Sequence, residues 1–341
     1  MLLLLTTVQI KLSIFKSMAA KDLAYYVKAF THLNRASVNG GAPHKPVLLL
    51  SVLQLIEDGL ISENQIYITP ELVSQFKTLW NLLVTTNHMP NFALPYYHLI
   101  GEKVGFWHLE AYEGFAGMLT SSNSIRSFKA LSEGIRYARF DEELFTLLTD
   151  RGFREVLRQA LLHRYFPEAR AVWQYQPVTY LQEIETQFLR EPEPIYLKRL
   201  ADIKDKIQRQ EEVFLRSNVF KREIPRLYNN TCAISGMRVT VTDNVSMVDA
   251  CHIDQFAGSG DDSVQNGIAL CPNMHRAFDR GLISIDDQYR VLISSRFIES
   301  HSSYSLSQFK GKEILLPDNP AYHPSQEKLE KHRRRFNIMD V

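Results

Sequence analysis

The sequence predicts an α+β protein of two domains joined by a helical connector. Three observations predict this. Residues 19–166 mix helical periodicity with extended aromatic segments, residues 167–216 hold Pro177, Pro192 and Pro194 ahead of a charged helical run, and from Ser217 the pattern becomes short strands and turns. At 341 residues the chain is long enough for each domain to bury its own core.

The run Met1-Leu2-Leu3-Leu4-Leu5 lacks a basic start and soon meets Lys11 and Lys16, so it does not read as a secretion signal. Residues 1–18 are an N-terminal extension, and an amphipathic helix begins around Met18. A helix is expected over Lys21–Leu33, then a loop at Asn39–Pro43. Pro46–Ile56 is apolar almost all round and closed by Asp58-Gly59, the pattern of a buried helix with a glycine stop. Asn64–Thr69 reads as a short strand and Pro70–Leu83 as a helix. Phe92–Leu109 reads as an aromatic strand pair turning at Gly101–Gly105, and Asp141–Tyr165 as helical.

The connector, 167–216, carries a charged helix over Tyr196–Phe214. The last domain, 217–341, holds short strands at Ser246–Ile253 and Gly267–Cys271, a short helix, a hairpin over Leu282–Ser295 turning at Asp286-Asp287-Gln288, and a basic tail.

The formal charge is +1, so binding to a polyanion would rest on local clusters: Lys221, Arg222 and Arg226, or Lys328, Lys331 and Arg333–Arg335. Three cysteines, Cys232, Cys251 and Cys271, are too few and scattered for a disulfide framework, and no CxxC pair offers a four-cysteine zinc site. Cys232 and Cys271 read as small buried residues. These features, with no membrane span, point to a cytoplasmic protein.

The chemistry gathers in Val248-Asp249-Ala250-Cys251-His252-Ile253, Asn266-Gly267-Ile268-Ala269-Leu270-Cys271 and Pro272-Asn273-Met274-His275-Arg276-Ala277-Phe278-Asp279-Arg280-Gly281, which read as strand, strand and helix. Pro272 suits the first helical position and Gly281 the residue past the end, so His275 and Asp279 share one face, four residues apart. An imidazole and a carboxylate so placed suit a divalent cation. Strand alternation puts Asp249 and Cys251 on the face His252 does not use, so either completes that set. Carboxylate oxygen favours Mg²⁺ or Mn²⁺, and thiolate a softer ion such as Zn²⁺; Ni²⁺ is a further alternative. The metal set is therefore read as Asp249, His275 and Asp279, with His252 as general base and Asn266 as a loop clasp.

This arrangement resembles the HNH (ββα-metal) endonuclease superfamily. His252, Asn266, His275 and Asp279 are spaced by 14, 9 and 4 residues, and the resemblance spans about 217–300. With Cys232 and Ser235-Gly236, the surrounding text looks like the subgroup found in modification-dependent restriction enzymes. Cys251 is a departure, since many members place Asp or His beside the base. The resemblance implies metal-dependent hydrolysis of DNA, with His252, Asn266 and His275 as catalytic residues.

A nuclease core reads phosphates rather than sequence, so targeting is expected from residues 19–166, a mixed α/β DNA-recognition domain. Its His44-Lys45-Pro46 and Leu94-Pro95-Tyr96-Tyr97-His98 segments resemble the sulfur-binding domain of restriction enzymes that attack phosphorothioated DNA. The resemblance implies an apolar seat for sulfur beside cationic donors, here His44, Lys45, Pro95, Tyr96, His98 and Arg126. At the positions flanking the proline, Leu94 and His98 depart from the aromatic and small residues of that family.

The expected function is thus a modification-dependent restriction endonuclease acting as a homodimer on double-stranded DNA, in defence against phage or other foreign DNA. Two alternatives are an HNH DNase indifferent to modification and a DNA-binding regulator with a degenerate HNH frame.

Overall fold

The computed structural model describes residues 22–115, 117, 125, 127–169, 179–239, 246–300 and 302–338. The architecture is α+β, with many helices and small two-stranded sheets. The chain forms two compact units, Met1–Leu181 with Lys206–Glu211, and Gln182–Asp205 with Glu212–Val341.

The first unit opens with α1 (Leu23–Thr31), whose N-terminus is capped by Asp22 accepting from the Tyr25 N–H at 2.9 Å. Next is α2 (His44–Glu57). Its residues Val47–Leu50, Val52 and Leu53 are fully buried, as an all-round apolar helix requires. It packs against α3 (Pro70–Leu83) and α4 (Ala93–His98). Strand β1 (Trp107–Ala111) follows, then α5 (Phe128–Gly134) and β2 (Ile135–Phe140), and β1 pairs with β2 antiparallel, Trp107 opposite Phe140. Helices α6 (Glu142–Thr149) and α7 (Arg151–Tyr165) close the unit against α2. Asp150 divides them by capping the Phe153 N–H at 3.1 Å.

Two expectations in this unit are corrected. Asn64–Thr69 is not a strand, since only Ile66 bridges to Ala138. Phe92–Leu109 is not a strand pair: Ala93–His98 is helical and the strand begins at Trp107. Asn91 accepts the Leu94 N–H at 3.0 Å, and Pro95 sits in the first turn, where its missing N–H costs little. Burial overrides the β propensity of the aromatics here. Tyr96 donates to the Ile66 carbonyl at 2.5 Å, and Trp107 Nε1 to the Tyr96 carbonyl at 3.0 Å.

In place of one charged helix over Tyr196–Phe214 there are α8 (Tyr180–Arg190), α9 (Glu193–Asp202) and α10 (Lys206–Leu227). Arg216 of α10 is fully buried, over the Tyr196 ring at 3.9 Å and paired with Glu191 at 3.0 Å. The next elements are β3 (Asp249–His252), a single turn α11 (Phe256–Ser259), β4 (Gly267–Leu270) and α12 (Pro272–Asp279). The hairpin of β5 (Ile283–Ile285) and β6 (Val291–Ile293) and the final helix α13 (Gln326–Phe336) complete the second unit. Asp286 closes that hairpin by accepting from Gln288 and Arg290 N–H at 2.8 and 2.7 Å. No described helix is long and apolar enough to cross a membrane.

Candidate functional site

β3 and β4 pair antiparallel, with Cys251 opposite Ile268 and His252 opposite Gly267. Because side chains alternate along β3, Asp249 and Cys251 face α12 while His252 points the other way. Pro272 starts α12 and Gly281, at φ 62°, lies in the left-handed region just past its end.

The His252 Nε2 lies 2.7 Å from Asp262 Oδ1. Asp262 is fully buried and also accepts from the Ser217 hydroxyl at 2.6 Å. A carboxylate here makes Nε2 the protonated nitrogen, so Nδ1 is left with its lone pair. One face of the imidazole lies flat on Phe220 at 4.0 Å, and Phe256 stands at 5.6 Å. The side chain of His252 keeps 23% exposure, enough for a reactant to reach it.

On the other face, His275 Nε2 is 3.4 Å from Asp279 Oδ2 and its Nδ1 is 3.5 Å from Asp249 Oδ2. Donor atoms of Cys251, His275 and Asp279 lie within 4.8 Å of one another, a group able to hold a metal ion. Asp249 faces the opposite ring nitrogen, and an imidazole grips one ion through one nitrogen. His275 in this orientation therefore shares an ion with Asp279 or with Asp249. Cys251 is wholly buried, and its thiol is pushed well above its ordinary pKa, first by burial and then by Asp279. Its Sγ donates to Asp279 Oδ1 at 3.9 Å, and the hard donors of the group are the imidazole and carboxylate.

Asn266 is fully buried and forms a clasp. Its Nδ2 donates to the Asp254 and Asp261 carbonyls, both at 2.9 Å, and its Oδ1 accepts the Asp254 N–H at 2.8 Å. It touches neither His252 nor the metal group; it sets the loop that carries Asp262. Asp261 anchors that loop through a buried ion pair with Lys328 of α13.

Residues 232–286 match the family model described as HNH endonuclease. The matched residues lie in the second unit, which thus carries an HNH endonuclease domain. No curated protein matches the chain. Among solved structures, a modification-dependent TagI restriction endonuclease is 21% identical over 34% of this chain and 36% of its own, with a TM-score of 0.26. The Type IV phosphorothioation-dependent restriction endonuclease ScoMcrA is 10% identical over 74% of this chain and 94% of its own, with a TM-score of 0.27. The match thus spans about a third of the length of the first of these.

Outside the HNH domain's centre, the basic clusters are largely neutralised. Arg226 pairs with Glu223 at 2.8 Å, Arg222 with Glu185 and Glu223, Lys331 with Glu327 at 2.9 Å and Arg334 with Glu330 at 2.5 Å. Arg333 donates to the Ile285 carbonyl at 2.6 Å and Arg335 to Gln255 at 2.7 Å. Cys232 and Cys271 are buried, and the neighbouring Cys271 draws the Cys232 thiol below its ordinary pKa.

In the first unit, His44, Lys45, Pro95 and His98 come together on one cavity of about 690 Å³. Tyr96 does not join them. Its ring is fully buried in the core and its hydroxyl is committed to Ile66, which corrects its place among the DNA-facing residues. Lys45 is also withdrawn: it is 8% exposed, ion-paired with Glu102 and bonded to the Asn34 carbonyl at 2.8 Å. Arg126 lies outside the described residues.

The sequence reading missed Asp262 and Phe220. The acidic pair Asp261-Asp262 just ahead of Asn266 was a visible signal. Nothing in its spacing says that one carboxylate turns to Lys328 and the other to His252.

Proposed function

We propose that the chain is a modification-dependent restriction endonuclease, in which the first unit selects modified DNA and His252 of the HNH domain cuts it. The observation that carries the catalytic part is the His252–Asp262 bond of 2.7 Å, on a strand whose other face carries, with α12, the Cys251, His275, Asp279 group. A degenerate frame would leave that oriented imidazole and that donor group without a purpose.

His252 takes a proton from water at Nδ1, and the water oxygen attacks phosphorus as the bond to the 3′ oxygen breaks. General-base catalysis of this kind contributes roughly 10²–10⁴-fold. Asp262 stabilises the imidazolium formed and prevents the ring from turning, while Phe220 closes one of its faces. His275 and Asp279, with Asp249 or Cys251 beside them, would hold a divalent cation, which would supply charge neutralisation to the hydrolysis. Mg²⁺ or Mn²⁺ suits the imidazole and carboxylate donors. One such site cuts one strand, so a homodimer makes the double-strand break, in the cytoplasm and against incoming foreign or phage DNA.

Selection is assigned to the first unit because His44, Pro95 and His98 line its cavity while no such concave site is needed for hydrolysis. Phosphorothioate is the modification that the His44-Lys45 and Pro95 segments suggest. The test is cleavage of plain plasmid and of DNA copied with phosphorothioate, 5-methylcytosine or N6-methyladenine throughout, in Mg²⁺ or Mn²⁺, for wild type and His252→Ala. Wild type should cut one modified DNA at least about tenfold faster than plain DNA, a difference of roughly 1.4 kcal/mol in activation free energy. Equal cutting of all substrates removes modification dependence; equal activity of the His252→Ala protein removes the base.

A further inference from the structure

We propose that Ser217 is a positioning residue for the hydrolysis: by holding one oxygen of Asp262 it aims the other at His252, so that the base is set from α10 as well as from its own strand. This rests on the reading of His252 as the general base.

The first ground is the carboxylate. Asp262 is fully buried, and among the described residues each of its oxygens has one hydrogen bond, Oδ1 with His252 Nε2 at 2.7 Å and Oδ2 from the Ser217 hydroxyl at 2.6 Å. The torsion that turns a carboxylate about its Cβ–Cγ bond is broad and two-fold, so the rotamer alone does not fix where Oδ1 points. The loop itself is held by Asn266 Nδ2 on the Asp261 carbonyl at 2.9 Å and by the ion pair of Asp261 with Lys328, and neither touches the Asp262 carboxylate. Anchors on both oxygens fix its plane, whereas a single anchor lets it swing. At 2.6 Å the serine contact has the length of a charge-assisted O–H···O bond.

The second ground is what a helical hydroxyl does by default. Ser51, Thr78, Thr146 and Thr186 each donate to the carbonyl four residues earlier in their own helix, at 2.8, 3.0, 2.8 and 2.9 Å. The next side chain along α10, Asn218, likewise donates to the Phe214 carbonyl at 2.8 Å. Ser217 instead directs its proton out of the helix, onto Asp262.

The third ground is register. Ser217, Phe220 and Ile224 are spaced by three and four residues and so share one face of α10. Phe220 lies on the imidazole at 4.0 Å, and Ile224 stands against Gly267, the residue paired with His252. One helix face thus meets the base twice, on its ring and, through Asp262, at Nε2. Ser217 acts through the carboxylate and requires no contact with DNA.

The test compares full-length wild type, Ser217→Ala, Ser217→Thr, Asn218→Ala, Asp262→Asn and the Ser217→Ala, Asp262→Asn double variant in single-turnover nicking of the DNA that wild type cuts, with Mn²⁺. Ser217→Ala should lower turnover about tenfold with KM unchanged, a part of what a general base contributes. Ser217→Thr keeps the hydroxyl and should lie within about threefold of wild type, and Asn218→Ala should match wild type. In the Asp262→Asn background the serine change should cost less than about twofold, because residues that act as a unit are not additive. A readout without cleavage is the Nε2 proton of His252, followed by magnetic resonance in metal-free protein with isotope-labelled histidines. The signal that His252→Ala removes should persist in Ser217→Thr and be lost to exchange with water in Ser217→Ala. Unchanged turnover or a retained signal in Ser217→Ala overturns the inference, and so does an equal loss in Asn218→Ala or a full tenfold loss in both backgrounds. If Asp262→Asn and His252→Ala cut as well as wild type, the base reading fails as well. If Asp262→Asn is slow and Ser217→Ala is not, the base stands and the role of Ser217 alone falls.

Discussion

The imidazole of His252 lies parallel to the phenyl ring of Phe220, 4.0 Å between centroids and 3° between planes. Opposite His252 on β4 is Gly267, where an added Cβ would stand 2.3 Å from Ile224 Cδ1 and 3.1 Å from Phe220 Cε2. α10 thus presses Phe220 and Ile224 onto the sheet at the register of the base. Its closeness depends on a residue without a side chain.

Gly267→Ala should therefore destabilise the second unit by about 1–3 kcal/mol, the ordinary cost of overpacking a core. Gly267 has φ −111°, so the penalty is steric and not conformational. Ile224→Ala in the same chain should recover part of it, giving a favourable coupling between the two substitutions. Urea unfolding of the singles and the double checks this; additive losses would contradict it.

Asp262→Asn keeps the shape of the side chain and removes the charge that holds His252 Nε2. Turnover should fall about 10²–10⁴-fold with KM and metal affinity unchanged, since the carboxylate acts through the imidazole and touches no reactant. Single-turnover nicking of plasmid at saturating Mn²⁺ reads this directly. A loss confined to KM would contradict the positioning role.

His275→Ala and Cys251→Ser separate ligand from packing. Imidazole loss should abolish cleavage and weaken Mn²⁺ binding about tenfold or more. Cys251→Ser should leave Mn²⁺ binding within about twofold, because a hard cation draws on the imidazole and carboxylate of the group and not on sulfur. Isothermal titration with Mn²⁺ measures both, and a loss in the serine variant equal to that of His275→Ala would make Cys251 a ligand.

His332 sets a pH dependence of stability. Its ring is buried against Phe278 at 3.8 Å, with Nδ1 accepting from Ser284 at 2.8 Å and Nε2 donating to the Phe278 carbonyl at 3.0 Å. Burial lowers its pKa from 6.5 to about 4. Between those values the unfolded chain binds a proton that the folded one does not, so stability present at neutral pH is lost as pH falls through that window. The loss approaches about 3 kcal/mol near pH 4. Calorimetry at pH 7 and pH 4.5 should show the second unit melting lower in acid. In His332→Gln that pH slope should flatten.

What lay within one regular element was legible in the sequence. Pro272 and Gly281 bracket a helix whose pitch alone places His275 and Asp279 on one face, and the two-residue repeat of β3 sends Asp249 and Cys251 away from His252. The buried course of α2 was written in its apolar run. Where contacts join distant segments, short-range pattern was silent or misleading. The aromatic Phe92–Tyr97 run has strand composition, yet Asn91 and the buried contacts of Tyr96 turn it into a helix, and β1 finds its partner at Ile135–Phe140 instead. Asp262 reaches His252 across a ten-residue loop, Phe220 arrives from a helix before the strand, and residues from Asn34 to Gly101 wall one cavity. Local periodicity is dictated by backbone geometry, which the sequence carries alone. Which loop carboxylate meets which imidazole is decided by the packing of elements far apart in the chain, and only the tertiary structure holds that.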